Sequence, residues 1–438
     1  MLSIIYLKTH FYNLIMSYLW SFYNNDEEKK TTTPNYKIIH EDAKLKHRPL
    51  PIVAFTCMVK NEKDNILRSL NTCLEIADLV ILLDTGSTDE TIEITRKFCK
   101  DNKLPFFCIQ SNWIDDFSYS RNILLSYADD KADVLLLYDA NDELKEPFKL
   151  KVIINSTFTN KEIKGYYVEQ EWREGENLDT YRNIKLIKTK QGWKYSFPIH
   201  EYIFIPDLKA ENVPTIDANT KIKYYQDRKE DNKRTSKRQT KDKEVLFKAH
   251  MKNPLEPRTI FYLAQTLSAC GEYKAAYIYY QKRLKFTGHM EEIFLSYVKC
   301  GELALLLNHG WEECMIWFLK AFEFMPRVEP LIRIVMYYYT TKNIHMAFTF
   351  IRAAVILSYP VQATLFISKH FYDYLRWHLY AKIAYDIGLK EEAKRALENI
   401  LQFQKPCDLS LYEAIVKNKI DFKNESVYKF ENTKVFTF

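Results

Sequence analysis

Four short apolar runs, residues 52–58, 79–83, 106–109 and 134–138, each end in a polar cluster, and stretches with apolar residues at helical spacing separate them. Strands and helices alternating at this length require right-handed crossovers and a parallel sheet. In such a sheet the ligand site lies beyond the carboxyl ends of the strands. The clusters at those ends are Lys60-Asn61-Glu62, then Asp84, then Trp113-Ile114-Asp115-Asp116, then Asp139-Ala140-Asn141-Asp142. Each alone reads as a helix cap or a turn, but acidic groups converging on one rim call for a different reason. Gly86 permits a turn with positive φ, and Ser87-x-x-Glu90 has the form of a capping box, predicting a helix that carries Ile92, Ile94 and Phe98.

From residue 165 to 197 the pattern shifts to short runs at 166–168 and 184–187 with a Gln191-Gly192 turn, predicting an antiparallel addition that ends in Phe197-Pro198-Ile199-His200-Glu201. Glu169 and Glu171 alternate onto one strand face. Residues 228–243 hold eight Lys/Arg and three Asp/Glu, a run that reads as a linker or a solvated first helix, with phosphate or acidic-acceptor contact as the alternative. Beyond it, Ala276 and Tyr280 are echoed by Cys314, Phe318 and Ala321, then by Ala347, Ile351 and Ala354. The step from Cys314 to Ala347 is 33 residues and that from Pro326 to Pro360 is 34, the tetratricopeptide period, in which small residues let paired helices approach. A further unit, Ala381, Gly388 and Ala393, follows an insertion of about a dozen residues by the same phasing. The expected division is a leader at 1–48, an α/β domain at 49–226, a basic linker or first helix at 227–248, helical repeats at 249–405 and a tail at 406–438.

A net charge of +6 from 63 basic and 57 acidic residues gives no reason to expect nucleic acid. Eight cysteines without a C-x-x-C pair or zinc-finger spacing read as reduced core thiols in a cytoplasmic setting. The apolar leader, residues 1–23, is broken by Lys8, His10 and Asn13 and is too short between breaks for a spanning helix. Interfacial membrane attachment, a cleaved signal and a self-packing or disordered leader remain open for it.

The sequence resembles glycosyltransferase family 2, in the branch where a GT-A catalytic domain precedes tetratricopeptide repeats. The resemblance rests on residues 56–62 (TCMVKNE), 84–89 (DTGSTD), 113–117 (WIDDF), Ser120-Arg121-Asn122, 139–143 (DANDE), His200-Glu201 and 261–265 (FYLAQ). It implies an inverting enzyme that moves a hexosyl or N-acetylhexosaminyl group from a nucleotide-sugar, expected to be a UDP-sugar, to a protein or glycan acceptor. Thr56, Met58 and Glu62 would cradle base and ribose, Asp84 would accept from uracil or ribose, Arg121 and Asn122 would hold the donor, and Trp113 would shape the pocket. Asp139 and Ala140 would meet the donor, with Mn²⁺ or Mg²⁺ carried by Asp139, Asn141 and His200. Asn141 departs from the D-x-D pattern, because an amide ligates without charge; Asp142 or a bridging water is the substitute. Glu201 is the expected general base, with Glu169 and Glu171 as rivals. The repeats would present a polypeptide acceptor, homo-association through them being the alternative. Two other readings compete: a degenerate scaffold that binds protein partners, and a nucleotidyltransferase, whose glycine-rich loop after the first strand is missing.

Overall fold

The computed structural model describes residues 36–42, 51–174, 177–227, 232–360, 363 and 367–402. The apolar leader and the tail after 402 lie outside them, as does Cys407. Among the described residues no helix is long and apolar enough to cross a membrane. Seven cysteines are free thiols, all buried except the half-buried Cys270.

The N-terminal half is a nine-stranded sheet with helices on its faces. Its strands are β1 (Tyr36–Glu41), β2 (Val53–Val59), β3 (Leu79–Asp84), β4 (Phe106–Ser111), β5 (Val134–Tyr138), β6 (Glu143–Lys145), β7 (Gly165–Glu174), β8 (Asn177–Lys188) and, after a separate hairpin of β9 (Lys194–Ser196) and β10 (Tyr202–Phe204), β11 (Lys223–Asp227). The sheet order is β1-β4-β3-β2-β5-β8-β7-β11-β6. The four expected strands β4, β3, β2 and β5 pair in parallel. Beyond them β8 and β7 run antiparallel, as the change of pattern predicted, although both are longer than their apolar cores suggested. The parallel strands read as continuous apolar runs because both faces are covered. Phe55, Cys57, Val80 and Leu82 pack into one cluster, while Ala54, Leu79, Ile81 and Leu83 pack into another.

Helices α1 (Ile66–Cys73), α2 (Thr91–Asp101), α3 (Phe117–Ala128) and α4 (Pro147–Thr157) make the covers. Two features differ from expectation. β1 falls within the expected leader at 1–48, where no strand was expected, and Asp42 ties its end to β4 by accepting from the Phe106 N–H at 2.8 Å and donating its own N–H to the Phe106 carbonyl at 3.1 Å. The capping box at Ser87 does not form. Helix α2 begins at Thr91, whose N–H donates to Asp89, while the Ser87 hydroxyl accepts from the Asn61 N–H and draws the β2 and β3 loops together.

The C-terminal half is helical: α5 (Asn232–Lys252), α6 (Pro257–Ala269), α7 (Tyr273–Arg283), α8 (Met290–Leu306), α9 (Trp311–Phe324), α10 (Val328–Thr340), α11 (Ile344–Val355), α12 (Arg376–Asp386) and α13 (Lys390–Gln402). The basic run thus belongs largely to helix α5, which packs on α6. α6 with α7, α8 with α9, α10 with α11 and α12 with α13 form contacting pairs. The small residues picked out by period, Ala276, Cys314, Ala321, Ala347, Ala354 and Ala393, are fully buried between them. Close approach is strictest at Gly301, where a Cβ would stand 2.5 Å from the Phe318 ring.

Candidate active site

The four polar clusters do meet at one edge. Register places Val59 beside Asp84 and Cys57 beside Tyr138, so Asp84 and Asp139 end neighbouring strands on either side of β2. Asp84 is buried and locally bound: its two oxygens accept from the Ser87 N–H at 2.8 Å and the Gln110 amide at 2.9 Å.

Asp139 is the centre of a charged network. Its Oδ1 accepts from the Arg121 guanidinium at 2.6 Å, and its Oδ2 stands 3.4 Å from Lys185 Nζ. The same guanidinium donates through Nε to Glu201 Oε1 at 2.6 Å. Arg121 therefore spans the carboxylate at the end of β5 and the carboxylate in the loop that joins β9 to β10. Burial works against charge on both partners. Asp139 is nevertheless held well below the usual carboxylate range by Lys185 and Arg121. In Arg121, burial is likewise outweighed by Asp139 and Glu201, which raise its pKa. Glu201 goes the other way, because burial raises its pKa more than Arg121 lowers it.

Asp142 is saturated from within the fold. Its Oδ2 accepts from Lys185 at 2.7 Å and from the Asp139 N–H at 2.9 Å, while Oδ1 accepts from Gln170 at 2.9 Å and Gln226 at 2.6 Å. No lone pair is left for an ion, so its place as substitute ligand is lost. Burial pushes its pKa up, with Lys185 opposing. Lys185, itself buried, was not singled out by sequence. The only signal is one lysine inside the apolar run Ile184-Lys185-Leu186-Ile187, and a buried lysine needs a carboxylate partner.

Other expected residues take varied positions. Thr56 lies buried in β2 between β3 and β5 and donates to the Leu136 carbonyl at 2.9 Å, so its hydroxyl is spent within the sheet. Met58 is half-buried against the β2–β5 core. Glu62 accepts from the Asn65 amide at 2.8 Å and gives its N–H to Thr91. Trp113 packs edge-on against Phe117 and donates to Asp115, which also pairs with Lys241 of α5. Asn122 has another task than the expected one. Its amide donates to the Tyr195 carbonyl at 2.9 Å and accepts the Tyr195 N–H at 2.8 Å, clamping β9, so the amide is spent on backbone. Ala140 is buried, its carbonyl accepting from Ser69. Glu169 and Glu171 flank Gln170, which turns inward to Asp142, so alternation sends both to the opposite face of β7.

The donor set for a divalent ion is thin. Among the described residues no three His, Cys, Asp or Glu side chains gather to hold one. The His200 ring stacks flat on Tyr262, centroids 4.0 Å apart, on the side of the helical repeats. What remains fits an ion that arrives with a diphosphate. Mg²⁺ characteristically binds through one or two carboxylates plus substrate phosphates, and Asp139, 39% exposed, and the half-buried Asn141 offer one carboxylate and one amide oxygen.

Residues 57–204 match the family described as Glycosyl transferase family 2. This segment is a family 2 glycosyltransferase domain. The chain also has relatives over part of its length. A TPR repeat-containing protein of Synechococcus elongatus is 26% identical over 151 residues, 34% of this chain and 35% of that protein. The SPbeta prophage-derived glycosyltransferase SunS of Bacillus subtilis is 32% identical over 78 residues, 18% of each chain. The chain thus spans about a third or less of the length of these relatives. Among solved structures, S. aureus TarS 1–349 aligns over 68% of this chain and 89% of its own at 13% identity and a TM-score of 0.31. MamA aligns over 39% of this chain and 92% of its own at 15% identity, again at 0.31.

Proposed function

We propose that the protein transfers a hexosyl or N-acetylhexosaminyl group, with inversion, from a UDP-sugar to an acceptor hydroxyl. The observation that carries this reading is Arg121, which joins Asp139 at the carboxyl end of the parallel sheet to Glu201 inside a family 2 domain. Glu201, ionised, takes the acceptor's hydroxyl proton; the freed oxygen bonds to the anomeric carbon from the face opposite the leaving group. The anomeric C–O bond breaks and its electron pair stays on the departing diphosphate. Arg121 and Lys185 supply fixed positive charge beside that developing anion, which costs no reorganisation at the moment of reaction.

A divalent ion, once bound, would offset the same charge as a Lewis acid. Asp139 and Asn141 are the residues that would hold it. Because Arg121 and Lys185 already neutralise much of the local acidity, Asp139 and Asn141 alone would hold the ion weakly. His200 is left to the loop architecture in this reading. The acceptor is a polypeptide presented by the helical repeats, whose stacked pairs build extended surfaces.

The test is a panel of UDP-, GDP- and dTDP-sugars, followed by hydrolysis and transfer with Mn²⁺ and with EDTA, beside titration calorimetry. The expected results are turnover of a UDP-sugar that Asp139→Ala removes, Mn²⁺ binding that needs UDP, and no heat from Mn²⁺ alone. Full turnover by Asp139→Ala rejects the site. A second reading, a non-catalytic scaffold, is favoured by the uncharged Asn141; UDP with Mn²⁺ giving no heat at all would leave only that one.

A further inference from the structure

Glu201 sits in a loop whose conformation its own sequence does not favour. Phe197 and His200 both adopt positive φ, 77° and 53°, in the left-handed region that strains non-glycine residues and persists only where the surroundings over-determine it. The surroundings come from the helical half. Ile199 between them is buried in the cluster formed by Leu246, Tyr262 and Phe294. The His200 ring lies on Tyr262 of α6, and the His200 carbonyl accepts from Arg258 of the same helix at 2.9 Å.

Arg258 is fixed from behind. Its other terminal nitrogen donates to Glu292 of α8 at 2.9 Å, and Glu292, 2% exposed, also accepts from the fully buried Arg283 of α7. Its guanidinium also stands against three rings, 5.7 Å from Phe197, 5.0 Å from Tyr202 and 4.7 Å from Tyr262. One side chain of the helical repeats thus clasps both ends of the loop and caps the carbonyl immediately before Glu201. On the other side the Pro198 carbonyl accepts from the N–H of Phe117, the first residue of the helix that carries Arg121.

We propose that Arg258 is a positioning residue for Glu201, so that the helical repeats complete the transferase site rather than only presenting an acceptor to it. The inference rests on the transferase reading above for its kinetic consequence, but not for its structural one. A loop set from the repeats also couples them to the chemistry, because whatever shifts α6 against α8 shifts the proton acceptor.

The test compares full-length wild type with Arg258→Ala, Arg258→Lys and Tyr262→Leu, using steady-state kinetics and hydrogen exchange of peptides covering 197–204. Misplacement by about 1 Å costs on the order of 100-fold in rate, so Arg258→Ala should lose about that in kcat while the donor KM holds. Exchange in 197–204 should quicken while peptides of α6 and α8 keep their protection. Arg258→Lys, which retains a cation but one donor point in place of the fork, should recover part of kcat. Tyr262→Leu, which leaves Arg258 and Glu292 paired, should loosen the same loop. Unchanged exchange in 197–204 for both Arg258→Ala and Tyr262→Leu overturns the proposal, whatever the activity. A loosened loop in a protein whose wild type turns over no nucleotide-sugar upholds the positioning role and rejects the transferase reading alone.

Discussion

Replacing Lys185 by methionine, close in volume but uncharged, isolates the pair that anchors the D-x-D region. In the wild type Lys185 Nζ lies 2.7 Å from an Asp142 carboxylate with no exposed surface, and 3.4 Å from Asp139. Removing one partner of a buried ion pair costs about 3–5 kcal/mol, because the other charge stays behind without its counterion. Three neutral donors remain to Asp142, the Asp139 N–H and the Gln170 and Gln226 amides, and oppose protonation, but burial outweighs them and the group escapes part of the cost by taking up a proton. The sign of the pH dependence follows. The folded-state pKa of Asp142 is already raised, by burial first, and rises further without Lys185. A carboxyl whose folded pKa exceeds its unfolded value destabilises the fold increasingly as pH climbs from the unfolded pKa to the folded one. The variant should therefore lose much more stability near pH 8 than near pH 5. Hydrogen exchange of peptides covering β5 and β8, read beside urea melts at both pH values, localises the loss to this half of the chain. Adding Asp142→Asn removes the stranded charge, and the double variant should regain more than half of the deficit. A loss below about 1 kcal/mol, the range of an exposed pair, or an equal loss at both pH values, would refute this account of Lys185.

Glu201→Gln should lower kcat by about 10²–10⁴, the usual worth of a positioned base, with donor KM held. Because burial raises the Glu201 pKa, wild-type kcat/KM should fall with decreasing pH while still above the ordinary glutamate value of 4.5; a profile flat down to that value moves the base elsewhere. In the repeats, Glu302 links Lys299 at 2.8 Å to Arg333 at 2.7 Å; burial would raise its pKa, but the two cations bring it down to about 2. That stabilisation is present above the unfolded value of 4.5 and is lost as pH falls toward 2. Glu302→Gln should thus cost about 3 kcal/mol at neutral pH and much less at about pH 3; thermal melts of the two proteins converging at low pH would bear this out, and a constant offset would not.

The parallel core was legible because two-sided burial writes a strand as an unbroken apolar run, as in Leu79 to Leu83, and because the rim is fixed by the handedness of the crossovers. The repeats were legible for a similar reason: helix-to-helix contact admits only small residues at Ala276, Ala321 and Ala354, and that demand recurs at the period of the unit. Local pattern failed where a side chain had two partners to choose between. Ser87 had the spacing of a cap yet bonds Asn61 across the loop, and Asn122 stood in the right tripeptide yet holds the backbone of β9.

The order of elements and a rim that ends in Asp139 were therefore set by residue type and spacing alone, since both are governed by contacts close along the chain or repeated at a fixed interval, whereas Arg121 and Glu201 were pointed to by the family resemblance. Which charges neutralise which was decided only in three dimensions. Lys185 reaches Asp142 across 43 positions of chain and Arg258 reaches the His200 carbonyl across 58, and over such distances the partner of a charge is chosen by folding, through burial that leaves an unpaired one too costly to keep.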